Sequence, residues 1–221
     1  MGRKTKSLWG PAPARYYALL RRVARTVHGR PPTAAILGCA DGKFVLPAAR
    51  RGFDVVAVDI DEVALYGGMT KAADGTPIEM PGLQWRLETE QLEQRVTIVR
   101  GDLASVRIAP CDFVFISGAL QYSYNLKHRL VDTMSHVRSL VAPGGLVAIE
   151  YMLPVTEAHS MLDTHPSADH WPSFFPTPEW TVLANRVADP GPERRPGASV
   201  LGTHQFLQWG YITAQKGGFV A

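Results

Sequence analysis

The stretch Ala34–Asp61, AAILGCADGKFVLPAARRGFDVVAVDID, reads as a strand, a glycine-bearing turn, a helix and a second strand that ends in acid. The run AAILGC is short, apolar and stopped by a turn, the pattern of a strand buried on both faces of a parallel sheet. Gly38 and Gly42 bracket that turn, where missing side chains let a ligand approach the backbone and the amides of the following helix. Ala40 stands between them, at a position where a more ordinary nucleotide-binding loop has glycine. Phe44 to Arg51 continues as a helix, with Pro47 early enough to need no amide partner. DVVAVDI is the second strand, and Asp59 closes it.

Outward from this unit the alternation repeats. On the N-terminal side, ARYYALLRRVARTV places Tyr16, Leu19, Leu20, Val23 and Val27 on one helical face, and HGRPP stops it. On the C-terminal side, EVALYGGMTKAA begins helically, DGTPIEMPG breaks it, and LQWRLETEQLEQ resumes as an amphipathic helix. RVTIVRGD is a third strand ending in acid, and CDFVFISGAL a fourth, followed by the polar-aromatic turn QYSYN. Lys127 to Val141 reads as a helix, PGG follows it, and LVAIEYML is a fifth strand. Residues 154 to 178 are rich in proline, histidine and aromatics without clear periodicity. EWTVLANRV and HQFLQWGYITAQ are expected to pair as an antiparallel hairpin at the sheet edge. The pattern predicts an α/β fold: a Rossmann-like, doubly wound, seven-stranded sheet with an antiparallel C-terminal hairpin and helices on both faces. Residues 1–221 are expected to form a single domain. A basic arm and lid helix (1–32) precede the core (33–152), and a substrate-side loop and terminal hairpin (153–221) follow it.

Composition narrows the function classes. The chain has 221 residues, 46% of them hydrophobic, enough to bury a full core. The formal net charge is +3, with much of the excess in Arg3, Lys4, Lys6, Arg15, Arg21, Arg22 and Arg25. A nucleic-acid partner is allowed by that balance but not demanded. Cys39 and Cys111 have neither disulfide-framework nor zinc-cluster spacing, so a reducing interior and no metal are expected. No apolar run approaches the roughly 20 residues of a membrane span, and a soluble cytoplasmic protein, monomer or homodimer, is the default.

Successive strand ends carry the candidate site: the turn Gly38 to Gly42, then Asp59, then Asp102. A carboxylate at Asp59 can accept from both hydroxyls of a ribose, and one at Asp102 from an adenine amino group. In open α/β sheets ligands sit beyond these carboxyl ends. The ordered set resembles the class I S-adenosylmethionine-dependent methyltransferases, in particular their small-molecule branch. LGCADGKF is similar to their glycine motif, VDID to their ribose-binding acid, RGDL to their adenine-side acid, FVFISGALQY to their fourth-strand motif, and LVAPGGLVAIEY to their fifth-strand entry. The resemblance covers roughly residues 33 to 152. It implies S-adenosyl-L-methionine as cofactor, with Gly38, Cys39, Ala40 and Gly42 along the methionine and ribose part. Asp59 and Ile60 fall at the ribose, Asp102 and Leu103 at the adenine, and Ser117 and Gly118 complete the set. Two departures stand out. The family's acid before the glycine turn falls on Ile36, and Ala40 replaces the central glycine. A dinucleotide dehydrogenase fits less well, because the spacing is G-x-x-x-G rather than G-x-G-x-x-G.

Methyl transfer is an in-line displacement on an already activated carbon, so positioning supplies most of the effect and no strong catalytic motif is needed. A protonated acceptor can also require a general base. The fourth-strand end SGALQYSYN lacks the Asn- or Asp-Pro-Pro-aromatic pattern of nucleic-acid and amide methylation, which leans toward a small-molecule substrate. Tyr122, Tyr124 and Asn125 are candidates to orient it, and His159 is a candidate base. Tyr16 and Tyr17 on the lid helix, Tyr151 on the fifth strand, and His170 with Trp171 in the long loop are candidate acceptor contacts. The expected reaction is methylation of an O- or N-nucleophile on a metabolite or natural-product intermediate. Three alternatives stay open: attack at the aminocarboxypropyl carbon with release of methylthioadenosine, RNA methylation using the basic arm, and a non-enzymatic partner subunit.

Overall fold

A computed structural model describes residues 6–71, 76–121, 127–155, 157–192 and 206–218. Seven strands form the main sheet: β1 (Thr33–Leu37), β2 (Asp54–Asp59), β3 (Val96–Arg100), β4 (Cys111–Ser117), β5 (Val141–Met152), β6 (Trp180–Val187) and β7 (Trp209–Lys216). Their spatial order is β3-β2-β1-β4-β5-β7-β6. The first five run parallel, while β7 is antiparallel to both β5 and β6. The expected terminal hairpin forms, and its second strand, not its first, joins the body of the sheet.

Alternate residues of each central strand point to opposite faces, and both faces are buried. On one face Ala34, Ile36, Phe113, Phe115 and Ala148 pack against α1 (Ala14–Ala24), α2 (Val45–Ala49) and α4 (Gly82–Glu90). On the other, Ala35, Leu37, Val114, Ile116 and Ile149 pack against α5 (Leu130–Ser139) and the 3₁₀ segment Ala168–Phe174. This double burial explains why the strands read as unbroken apolar runs rather than alternating ones. Tyr16, Leu20 and Val23 form the buried face of α1, three of the five positions expected from its periodicity, while Leu19 and Val27 are half-buried.

Three local readings change. The helix α3 ends at Tyr66 (Glu62–Tyr66), and GMTK pairs instead as a strand, Gly68–Lys71, with Pro77–Met80. Gly67 and Gly68, at φ 89° and 144°, take the backbone out of the helical region there. PGG does not precede the fifth strand but lies within β5, where a register shift opposite Cys111/Phe113 accommodates it. The helix after the glycine turn spans only Val45–Ala49.

The strand order reverses between β1 and β4, so the crevice beyond their carboxyl ends is where this architecture receives a ligand.

Candidate functional site

The turn after β1 is anchored to β2. The amides of Gly38 and Cys39 both donate to the Val58 carbonyl, at 2.8 and 3.0 Å. Gly38, Ala40 and Gly42 have φ of 70°, 46° and 88°, so every second residue of the turn is left-handed. Both glycines serve close internal packing. A Cβ on Gly38 would lie 2.2 Å from the Cβ of Ala119, in the turn after β4, and one on Gly42 would lie 2.4 Å from Leu83 of α4. Cys39 is buried, and burial first, then the Asp59 charge, pushes its thiol well above the usual range. It is a packing residue with no thiolate to offer.

Asp59 joins the turn to the end of β2. One carboxylate oxygen accepts from the Ala40 amide at 2.7 Å and the other from the Asp61 amide at 3.0 Å. Burial raises its carboxyl pKa, and the amides of Asp61, Ala40 and Ile60 pull the other way. Asp61 caps α3 through the amides of Val63 and Ala64. Beyond β3, Asp102 accepts from the Ala104 amide at 2.9 Å and faces Nε2 of His128 at 3.3 Å. Leu103 is buried, and the Gly38 turn packs beside it. Asp102, Asp59 and the turn therefore follow one another along β3, β2 and β1, and Ser117 and Gly118 continue the series at β4. Each carboxylate keeps acceptor capacity beyond its amide bonds. A row of acceptors of this kind suits the amino group of an adenine and the hydroxyls of a ribose, and the residues present fit an adenosyl cofactor.

The other candidates sort differently. Tyr16 is wholly buried among Phe44, Phe113 and Phe115, and its hydroxyl donates to the Phe44 carbonyl at 2.8 Å. Tyr151 and Trp171 are also wholly buried, stacked with ring centroids 4.0 Å apart, and the Tyr151 hydroxyl donates to Asn185 at 2.8 Å. Burial, then the charge of Asp169, pushes the Tyr151 pKa up to about 12. These three side chains lie within the two cores and not in the crevice. Tyr17 is half-buried with the Arg51 guanidinium 4.3 Å over its ring. His170 is exposed and lines, with Arg129, Arg138 and Asp163, a cavity of about 330 Å³ between α5 and the 3₁₀ segment. Tyr122, Tyr124 and Asn125 lie outside the described residues, as do Arg3 and Lys4 of the basic arm and the side chain of His159. Among the described residues no cluster of three or more His, Cys, Asp or Glu could hold a metal ion, and no helix is long and apolar enough to cross a membrane.

Several residues around the crevice were not singled out from the sequence. Asp41, in the turn itself, is buried and accepts from the Ser7 hydroxyl at 2.6 Å and the Leu8 amide at 2.7 Å, which straps the N-terminal segment onto the glycine turn. Arg86 of α4 donates to the Asp41 carbonyl and lies 3.4 Å from its carboxylate. At the far side of the crevice Glu150 of β5 is buried, accepts from the Ser117 hydroxyl at 2.6 Å, and pairs with Arg15 at 2.7 Å. Trp209 of β7 lies over Gly118, where an added Cβ would meet its indole at 3.0 Å. An acid within the apolar run LVAIEYML was the available signal for Glu150. No spacing rule connects Asp41 to Ser7 or Glu150 to Arg15.

The Methyltransferase domain family matches residues 14–187, and the chain belongs to that family. It is a transferase of the S-adenosylmethionine-dependent class. No curated protein matches it by sequence. Among solved structures it resembles TehB from Haemophilus influenzae, with a TM-score of 0.59 at 14% identity over 89% of this chain and 61% of that one. It also resembles 1,6-didemethyltoxoflavin-N1-methyltransferase from Burkholderia thailandensis, which holds 1,6-didemethyltoxoflavin and S-adenosylhomocysteine, with a TM-score of 0.55 at 16% identity over 90% and 79% of the chains. The magnesium protoporphyrin IX methyltransferase of Synechocystis PCC 6803, with bound S-adenosylmethionine, gives 0.57 at 12% identity over 91% and 78%. At these identities the likeness is one of fold.

Proposed function

We propose that the protein methylates an O- or N-nucleophile of a small metabolite or natural-product intermediate. The observation that carries the reading is the ordered series Asp102, Asp59, glycine turn and Ser117 along four adjacent strand ends, in a chain of the methyltransferase-domain family. The fourth-strand end, Ser117-Gly118-Ala119, supports a small acceptor over a nucleic acid, as does the similarity to a methyltransferase holding 1,6-didemethyltoxoflavin.

The cofactor, when bound, supplies a methyl group activated on a sulfonium sulfur. The chain has to orient the acceptor and keep water away. Asp59 and Asp102 are the candidates to fix the adenosyl portion by accepting hydrogen bonds. The Ser7–Leu8 strap covers one side of the turn, and the Trp209 indole packs over Gly118 at the end of β4. Tyr122, Tyr124, Asn125 and His159 remain the candidates for contacting the acceptor.

The test is incubation of the pure protein with S-adenosylmethionine, alone and with a small-molecule extract or purified RNA. S-adenosylhomocysteine formed only with the small-molecule extract is the expected result. Methylthioadenosine released without acceptor would replace the reading with attack at the aminocarboxypropyl carbon, and turnover on RNA alone would also overturn it.

A further inference from the structure

Glu150 raises a question that helix packing does not answer. Its carboxylate is buried, as are those of Asp41 and Glu90. Asp41 is taken up by the N-terminal strap and Arg86, and Glu90 by both nitrogens of the Arg50 fork. Glu150 sits at the carboxyl end of β5, in register with Ser117 of β4 on one side and Tyr211 of β7 on the other. It lies on the α1 face of the sheet, the face that also carries Ile36, Phe115 and Ala148. One oxygen accepts from Ser117 at 2.6 Å and the other from Nε of Arg15 at 2.7 Å. The Glu150 side chain is 8% exposed and that of Arg15 is 45% exposed, with its guanidinium 4.0 Å over the Tyr211 ring. If the pair served only to fasten α1, apolar side chains would do it without the cost of desolvating a carboxylate. Instead a guanidinium is held at a fixed place, half open, beside a buried anion.

The position in the strand order supplies the second half of the argument. Asp102 and Asp59 assign the adenine and ribose to β3 and β2, and the glycine turn follows at β1. The resemblance puts the methionine part along that turn, whose charged side chain, Asp41, is taken up by the strap and Arg86, so the charged groups of the amino-acid end still need partners, and the series runs on toward β4 and β5. Those strands lie about 5 and 10 Å further along the sheet. That end is a zwitterion, so it needs donors for its carboxylate and acceptors for its ammonium. On β1 the residue that faces this side is Ile36, 1% exposed and apolar, which offers neither.

We propose that Arg15 and Glu150, bridged by Ser117, form the receptor for the amino-acid end of the cofactor, the guanidinium taking the α-carboxylate and the buried Glu150 carboxylate taking the α-ammonium. Arg15 is suited to the first task because its planar fork matches a carboxylate. Glu150 is suited to the second because Ser117 fixes its orientation while each oxygen keeps a further lone pair. The inference rests on the cofactor reading above and goes past it, because it concerns two residues outside the glycine turn.

The experiment compares two ligands by calorimetry. S-adenosylhomocysteine carries the amino-acid end, and 5′-methylthioadenosine has the same adenosine and thioether without it. The unaltered protein is expected to prefer S-adenosylhomocysteine. Arg15→Met and Glu150→Gln are each expected to narrow that preference by about tenfold or more, the scale of a lost hydrogen bond to a charged group. Both should leave the affinity for methylthioadenosine unchanged, which also reports that the variants are folded. An unchanged preference in both variants overturns the proposal. So does an equal loss of both ligands, which would make the pair a helix fastener. If the unaltered protein binds neither ligand, the cofactor reading itself falls, an outcome distinct from the other two.

Discussion

Replacing Ala40 by glycine tests how the turn between Gly38 and Gly42 is held. Ala40 has φ 46°, and it and Gln91 are the non-glycine residues with positive φ among those described. A side chain with a β-carbon in this region costs about 1–2 kcal/mol, because Cβ approaches the following carbonyl. Glycine removes that cost but gives the unfolded chain more freedom, an offset of about 0.4–1 kcal/mol. The difference predicts that Ala40→Gly stabilises the fold by about 0 to 1.5 kcal/mol. At about 2–4 °C per kcal/mol for a chain of this size, the melting temperature should hold or rise by a few degrees. The amide of Ala40, which donates to Asp59 at 2.7 Å, is kept by the substitution, so affinity for S-adenosylhomocysteine should not fall. Thermal unfolding followed by circular dichroism, with and without that ligand, is the assay. A loss of more than about 1 kcal/mol would refute the reasoning, because the methyl group would then be making contacts that outweigh the backbone strain.

Further outcomes follow from the same geometry. Gly38→Ala adds a carbon 2.2 Å from Ala119 at φ 70°, and should cost at least about 2 kcal/mol in urea unfolding. Asp41→Asn removes a buried charge facing Arg86 and weakens the strap to Ser7 and Leu8. About 3 kcal/mol of stability should be lost, and protection of the Leu8 amide in hydrogen exchange should fall. Tyr16→Phe leaves the Phe44 carbonyl without its donor and should cost about 1 kcal/mol while cofactor affinity stays the same, since the ring lies in the core. Burial raises the Asp59 carboxyl pKa, and a ribose hydroxyl is best accepted by the ionised form. Affinity for S-adenosylhomocysteine should therefore be full above that raised value and be lost as pH falls through it, at a higher pH than an ordinary carboxylate would give. Asp59→Asn should flatten that part of the profile.

The fold was legible because its strands are buried on both faces. AAILG, DVVAVD and CDFVFIS carry no polar face to confuse them with helices, and each stops at a glycine or an acid that marks a strand end. The segment GMTK was misread because EVALY before it is strongly helical, and only paired Gly67-Gly68 signals the break. The candidate carboxylates at the strand ends were legible for the same reason as the strands, since Asp59 ends β2 and Asp102 follows just after β3. The opposite side was not. Tyr16 was a candidate on a lid helix, Tyr151 on the fifth strand and Trp171 in the long loop after it, but an aromatic that faces a cleft and one that faces a core have the same letter. Glu150 lies inside an apolar run, and its partner Arg15 is 135 residues away, among the basic residues of the N-terminal segment. The Asp41–Ser7 contact spans 34 residues in the same way. Such long-range pairs depend on how helices seat on the sheet, which periodicity does not encode.

The central claim is that Asp59 and the turn it holds bind an adenosyl cofactor. The most direct measurement is a calorimetric titration of S-adenosylhomocysteine into the unaltered protein and into Asp59→Asn. The account predicts saturable binding at one site per chain, weakened about tenfold or more in the variant at a temperature where circular dichroism shows it folded. Absence of binding to the unaltered protein, or equal binding by the two, would contradict it.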